Sequence, residues 1–215
     1  MESVRSEILL DSNKYFQLID HLELHSIPTI KKLRDLGARF AVVGGLAVSV
    51  RTVERFTKDL DLAVAVRSDN EAEALVLALS RSGYSVEAVI EQDAAKRLST
   101  VRLISTGDVV MFVDLLFASS GIEPEVVAMA EEAEIFPGVT GLVATIPSLI
   151  ALKVLSANTK NRLQDIIDLQ NLTKDATPGE IEEARDLLNL ITDRGFNRNK
   201  DLQNDLDGYF EQFRT

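Results

Sequence analysis

The chain has 215 residues, which suits one large domain or two small ones and is enough to bury a core. A formal charge of −11 argues against broad, sequence-blind binding of nucleic acid, which rests on Lys and Arg neutralising phosphates, but leaves room for a local basic cleft. The absence of cysteine excludes a disulfide framework and a thiolate zinc site, and no apolar run reaches the roughly eighteen residues of a membrane span. The opening stretch MESVRSEILLDSNKYF lacks the basic start and apolar middle of a signal peptide, so a soluble cytoplasmic protein is expected.

Residues 12–36 read as two helical segments separated near Ser26–Pro28, with Pro28 in the first turn of the second and Gly37 as its stop. His21 and His25 are spaced i, i+4, but no third ligand lies nearby, so a solvated helix face is preferred to a metal pair. RFAVVGG is a short strand ending in glycines, and LAVSVRTVERF has helical spacing with Leu46, Val50 and Val53 on one face. DLDLAVAV is a strand, and SDNEAEALVLALSRSG is a helix with a capping start and a glycine stop. YSVEAVI, RLSTVRLIS and VVMFVDLLFAS read as strands, with a turn at STGD between the last two. EPEVVAMAEEA is a short helix, and EIFPGVTGLVA a strand or hairpin broken by Pro137 and Gly138.

After Ile146 the pattern changes to four amphipathic helices, PSLIALKVLSANT, KNRLQDIIDLQNLTK, TPGEIEEARDLLNLITDRG and NKDLQNDLDGYFEQF. The acidic stretch PGEIEEARD reads as a solvated helix surface. The expected fold is α+β: N-terminal helices over residues 1–37, a mixed β-sheet core flanked by helices over 38–145, and a C-terminal helical bundle over 146–215. Strands and helices do not alternate regularly, which favours a mixed sheet over a parallel one.

The chemistry sits on the strand DLDLAVAV. Strand side chains alternate, so Asp59 and Asp61 share one face while Leu60 and Leu62 take the other. Two carboxylates side by side repel, so one takes a proton or a cation sits between them, and a hard cation such as Mg²⁺ suits oxygen ligands. The alternative is a strand end neutralised by Lys58 or Arg55. Asp114 is the one charge in VVMFVDLLFA, and a lone acid in an apolar strand needs a partner, either a shared metal or a buried ion pair. Gly44 and Gly45 join a strand to a helix, where free backbone N–H groups attract phosphate. They fit neither G-x-x-x-x-G-K-[ST] nor G-x-G-x-x-G.

The joint pattern of Gly44, Gly45, Asp59, Asp61 and Asp114 resembles the DNA-polymerase-β-type nucleotidyltransferase superfamily. GGLAVSVRTVERFTKDLDLAV and LIALKVLSANTKNRLQDIIDLQNL are similar to the minimal nucleotidyltransferases of bacterial abortive-infection and toxin–antitoxin systems, the AbiEii-like group. That resemblance covers roughly residues 38–172 and includes Lys153, Arg162, Asp165 and Asp168. At Gln164 the chain departs from the Lys often found in the group.

The resemblance implies a Mg²⁺-dependent transfer of a nucleoside monophosphate from an NTP to a hydroxyl acceptor, with two Mg²⁺ ions held by Asp59, Asp61 and Asp114. Asp114 would hold the metal that activates the acceptor hydroxyl, or act as base. The acceptor would be a tRNA 3′ end or a protein side chain, in a toxin with an antitoxin protein as partner. A small-molecule acceptor, as in drug-modifying enzymes, and a non-catalytic nucleotide-binding module are the alternatives. Gly44 and Gly45 would admit the phosphates. Thr57 either bonds a phosphate or caps its strand. Arg51 and Arg55 offer one phosphate contact or pair with Glu54 or Asp59. Lys153 reaches the triphosphate or is held by Asp165 or Asp168, which would otherwise position Lys153 and Arg162.

Overall fold

A computed structural model describes residues 22–55, 57–92, 96–105, 111–157, 163–174 and 176–213. His21 and Arg162 lie outside the described residues, as do most of the first expected helix and most of the STGD turn.

Helix α1 runs over residues 22–35 without a break at Pro28, which corrects the expected division there. The missing proline N–H removes one helical bond. Buried Ile30 and Leu33 hold the stretch against the core, and the Thr29 hydroxyl donates to the His25 carbonyl at 2.9 Å. Gly37 ends the helix as expected. It adopts φ +71°, its N–H donates to Arg34, and the next N–H, of Ala38, reaches back to Leu33.

The strands are β1 (Phe40–Val42), β2 (Asp59–Val64), β3 (Tyr84–Gln92), β4 (Arg97–Ser105), β5 (Phe112–Leu116), β6 (Glu131–Phe136) and β7 (Val139–Val143). They form a seven-stranded sheet in the order β3-β4-β5-β2-β1-β7-β6. β2 pairs parallel with β5 and β1 parallel with β7, and the other pairings are antiparallel, so the sheet is mixed as the irregular element order demanded.

The intervening helices are α2 (Gly44–Arg51), α3 (Asp69–Ser80) and α4 (Glu123–Met129). α3 starts where Ser68 accepts the Glu71 N–H. α4 stops four residues short of its expected end, because Glu131–Ala133 join the β6–β7 hairpin around Pro137 and Gly138.

Four helices follow: α5 (Ile146–Ser156), α6 (Leu163–Lys174), α7 (Pro178–Asp193) and α8 (Leu202–Phe213). A reciprocal Thr177–Glu180 capping box opens α7. Lys200 ties the start of α8 to the end of α5 by donating to the carbonyls of Val154 at 2.7 Å and Ala157 at 3.1 Å, groups a helix end leaves unpaired. One apolar core joins sheet and helices, since Leu60, Leu62 and Leu115 belong to the same buried cluster as Leu149, Ile150, Leu169 and Leu188. The bundle therefore stands on the sheet next to α2, with α5 and α6 both packed against that helix.

Candidate active site

The strand alternation falls as the sequence required. Leu60, Leu62, Val113 and Leu115 are fully buried on one face of β2 and β5, and Asp59, Asp61 and Asp114 look the other way. Asp61 and Asp114 are direct partners across the parallel β2–β5 pair, so the sheet brings the two strongest sequence candidates side by side. Burial and the adjacent Asp114 charge push the Asp61 carboxyl up to about 7, against the pull of Lys153 and a hydrogen bond from the Gly45 N–H. Burial also raises the Asp59 carboxyl, with Arg102 opposing it.

The Gly44–Gly45 pair begins α2 and is not a separate turn before it. Gly44 has φ +62°, and a Cβ there would run into the Asp61 carboxylate, so both backbone and packing demand glycine. A Cβ on Gly45 would meet the Arg55 guanidinium and stand 2.8 Å from the Thr57 hydroxyl. The strand–glycine–helix junction is thus pressed against the acidic strand, with its N-terminal amides at the carboxylates.

A cleft of about 340 Å³ opens over Gly44, Asp61 and Asp114, and neither Asp59 nor Gly45 is on its wall. Val43, Gly44, Asp61, Thr100, Arg102 and Asp114 line it from the sheet side, and Leu149, Leu152, Lys153, Ser156 and Asp165 from the helical side. It is of the size and mixed character of a small-ligand site.

Arg102 is the residue that sequence reasoning missed. It lies opposite Asp114 in the β4–β5 pairing and forks onto its carboxylate at 2.8 Å and 2.6 Å. Its Nη2 is also 3.7 Å from Asp59, and the guanidinium stands 5.3 Å from the Phe112 ring centroid. The one available signal was parity, since Thr100, Arg102 and Ile104 share a face of RLSTVRLIS, but the register against β5 cannot be read from either strand alone. Ser119, Ser120 and Arg198 also line the cleft and were not anticipated. Buried Glu123 holds that wall, its Oε1 accepting from the N–H groups of Ser119 at 2.8 Å and Ser120 at 2.7 Å.

Three of the expected phosphate contacts stand differently. Arg51 does not reach the cleft: it donates to Ala144 at 3.0 Å, Val143 at 2.9 Å and Glu131 at 2.9 Å, which clamps α2 to the β6–β7 hairpin. Neither Glu54 nor Asp59 is its partner. Thr57 is absent from the cleft wall, and its hydroxyl lies 3.4 Å from the Asp59 carbonyl, as a strand cap would. Lys153 is on the wall, but its ammonium is held 2.7 Å from Asp165 and 2.7 Å from Asp168. Fully buried Asp168 also takes the Arg55 guanidinium at 2.8 Å and the Gln164 amide at 3.0 Å, while Ser156 donates to Asp165 at 3.0 Å. The counter-charges of Arg55 and Lys153 are therefore aspartates of α6.

The donor set fits a hard divalent cation. Asp61 and Asp114 supply oxygen from adjacent strands, and burial together with the neighbouring Asp114 charge makes the charged form of Asp61 costly, a cost that a bound cation would offset. No three such side chains converge as a ready-made metal cage among the described residues, and Arg102 stands between Asp59 and Asp114.

Solved structures to which the chain is similar include an antigenic nucleotidyltransferase-like protein from Paracoccidioides brasiliensis, at 21% identity and TM-score 0.47 over 82% of this chain and 88% of that one. A protein from H. pylori assigned as a nucleotidyltransferase matches at 16% identity and TM-score 0.49 over 92% and 93%. The lincosamide antibiotic adenylyltransferase LnuA, solved with lincomycin, matches at 13% identity and TM-score 0.45 over 70% and 95%. No curated protein matches the chain. A family model described as the nucleotidyl transferase AbiEii toxin of a type IV toxin–antitoxin system matches residues 32–214, and the chain belongs to that AbiEii nucleotidyltransferase family.

Proposed function

We propose that this nucleotidyltransferase moves a nucleoside monophosphate from an NTP to a hydroxyl of a tRNA 3′ end or a protein, with Mg²⁺ held by Asp59, Asp61 and Asp114. The observation that carries the reading is the Asp61–Asp114 pair, two carboxylates set side by side on adjacent strands at the wall of the cleft, where oxygen ligands can share a hard cation. The metal, when bound, neutralises charge on the phosphates and acidifies the attacking hydroxyl. The chain's own residues do the rest. Gly44 and Gly45 let the start of α2 approach the phosphates, where its amides favour negative charge. Asp114 would be a ligand of the metal or would take the proton of the acceptor hydroxyl. The acceptor oxygen then bonds to the α-phosphorus, the bond to the β-phosphate bridge breaks, and pyrophosphate leaves.

Lys153 reaches this cleft but is held on Asp165 and Asp168, so its part is to fix α6 against α5 and to present part of its charge to the bound nucleotide. The toxin setting follows from the family and implies an antitoxin partner. No helix among the described residues is long and apolar enough to cross a membrane.

Nucleotide binding tests this reading. Calorimetric titration with each NTP should show binding that depends on Mg²⁺ and is lost in Asp61→Asn. Equal binding with and without Mg²⁺ would point to a nucleotide-binding scaffold with no transfer chemistry.

A further inference from the structure

Arg102 stands between Asp59 and Asp114, where the cation of the proposed reaction would bind. Its fork occupies both oxygens of Asp114, at 2.8 Å from Nε and 2.6 Å from Nη2, and Nη2 leans to within 3.7 Å of Asp59. A guanidinium fork takes the facing lone pair of each carboxylate oxygen and leaves the outer ones, so a metal that chelates both oxygens competes with the fork for the same lone pairs. A guanidinium and a dication also repel when both crowd one pair of carboxylates. The Arg102 side chain is 38% exposed, whereas that of Asp114 is 14% exposed, so the arginine is the partner with room to leave. The Phe112 face, 5.3 Å away, gives the guanidinium one further contact that does not depend on Asp114.

We propose that Arg102 is a resident counter-cation that holds Asp114 in the metal-free enzyme and must release it for the divalent metal to bind. Arg102 then sets the metal affinity of the site: it keeps the buried acids paired when no metal is present, and exchanges with the metal on loading. This rests on the nucleotidyl-transfer reading, since it takes Asp114 as a metal ligand. Arg102 is a positioning residue here, and its effect appears in metal binding before any turnover.

The test uses the full chain, Mn²⁺ titrated against the EPR signal of the free ion, and Mg²⁺ added under NMR observation of arginine side chains. Arg102→Met keeps much of the stem and removes the charge, and it should bind Mn²⁺ roughly tenfold more tightly than wild type, the order expected when a partly buried ion pair no longer competes. Arg102→Lys keeps a charge without the fork and should fall between them. In the wild-type protein the Arg102 Nε–H, protected by Asp114, should become solvent-exchangeable at saturating Mg²⁺. This readout is made on the wild-type protein, with the Arg102 resonance assigned through its bonded neighbours rather than through a variant. Equal or weaker Mn²⁺ binding by a folded Arg102→Met would overturn the proposal, as would an Nε–H that stays protected with Mg²⁺ bound. Absence of Mn²⁺ binding in wild type and variants alike would remove the metal reading itself, and this proposal with it.

Discussion

Asp61→Asn is expected to abolish transfer while making the metal-free protein more stable at neutral pH. Asn keeps the size of the side chain and removes the charge that burial and Asp114 oppose. The Asp61 carboxyl is raised from 3.8 to about 7, so between those values the folded protein holds a proton that the unfolded chain has lost. Stability of the metal-free wild type therefore falls as pH rises through that window, the cost is complete above about 7, and it is absent below 3.8. With a discount for the part of the side chain that reaches the cleft, the variant should gain ~1–2 kcal/mol at pH 8, and the gain should vanish toward pH 4. Urea midpoints at the two pH values measure it. On the proposed role of Asp61 as a metal ligand, turnover should fall on the order of 10³-fold. A variant less stable than wild type at pH 8 would mean that Asp61 is a structural ion-pair partner instead. Such a gain on loss of a functional group is the usual exchange of stability for activity.

Asp168→Ala should do the opposite, with the largest stability loss expected of any single change in the helical half. The carboxylate is fully buried and receives Arg55 at 2.8 Å, Lys153 at 2.7 Å and Gln164 at 3.0 Å. These donors come from the segment after α2, from α5 and from α6 itself, so Asp168 joins the sheet half to the bundle. Its removal takes the shared anion from Arg55 and from Lys153, which keeps only Asp165, in a largely buried site at the edge of the cleft, a situation that costs about 3–5 kcal/mol. A fall in Tm of roughly 10 °C by calorimetry is the expected reading. Asp168→Asn should fall short of that loss because it keeps the acceptor oxygen. An Ala variant with unchanged Tm would show that Lys153 and Arg55 find water or phosphate without difficulty, and would return Lys153 to the role of a free phosphate ligand.

The sequence was most legible where one residue decides the local outcome. β4 has the bounds read from RLSTVRLIS, because alternation and flanking polar residues agree there. Asp59 and Asp61 share a face because strand parity is arithmetic once the strand is known, whereas Asp114 joins them through the β2–β5 register. Pro28 misled because helix propensity is weighed against tertiary burial, and Ile30 and Leu33 carry enough core contact to keep the chain helical through it. The start of β6 was read as helix because EEA suits either state, and only pairing with Gly141–Val143 decides it.

At the site, what the chain order hides is the partner of each charge. Arg102 meets Asp114 through a strand register, and Arg51 meets Glu131 across 80 residues of sequence. Lys153 needs a counter-charge by composition alone, but whether that is phosphate or the α6 aspartates depends on where α6 packs. The glycine pair was read as phosphate-binding; what the structure shows at Gly44 is the Asp61 carboxylate lying where its Cβ would be.

The most direct test of the central claim is label transfer. The purified protein is incubated with each α-labelled NTP, Mg²⁺, total RNA and cell lysate, beside Asp61→Asn. Transfer of label from one NTP to one macromolecule, absent in the variant and absent when Mg²⁺ is chelated, is the result expected of a nucleotidyltransferase acting on tRNA or protein. Label that appears equally with the variant, or no label on any macromolecule from a folded protein that binds NTP, would contradict it.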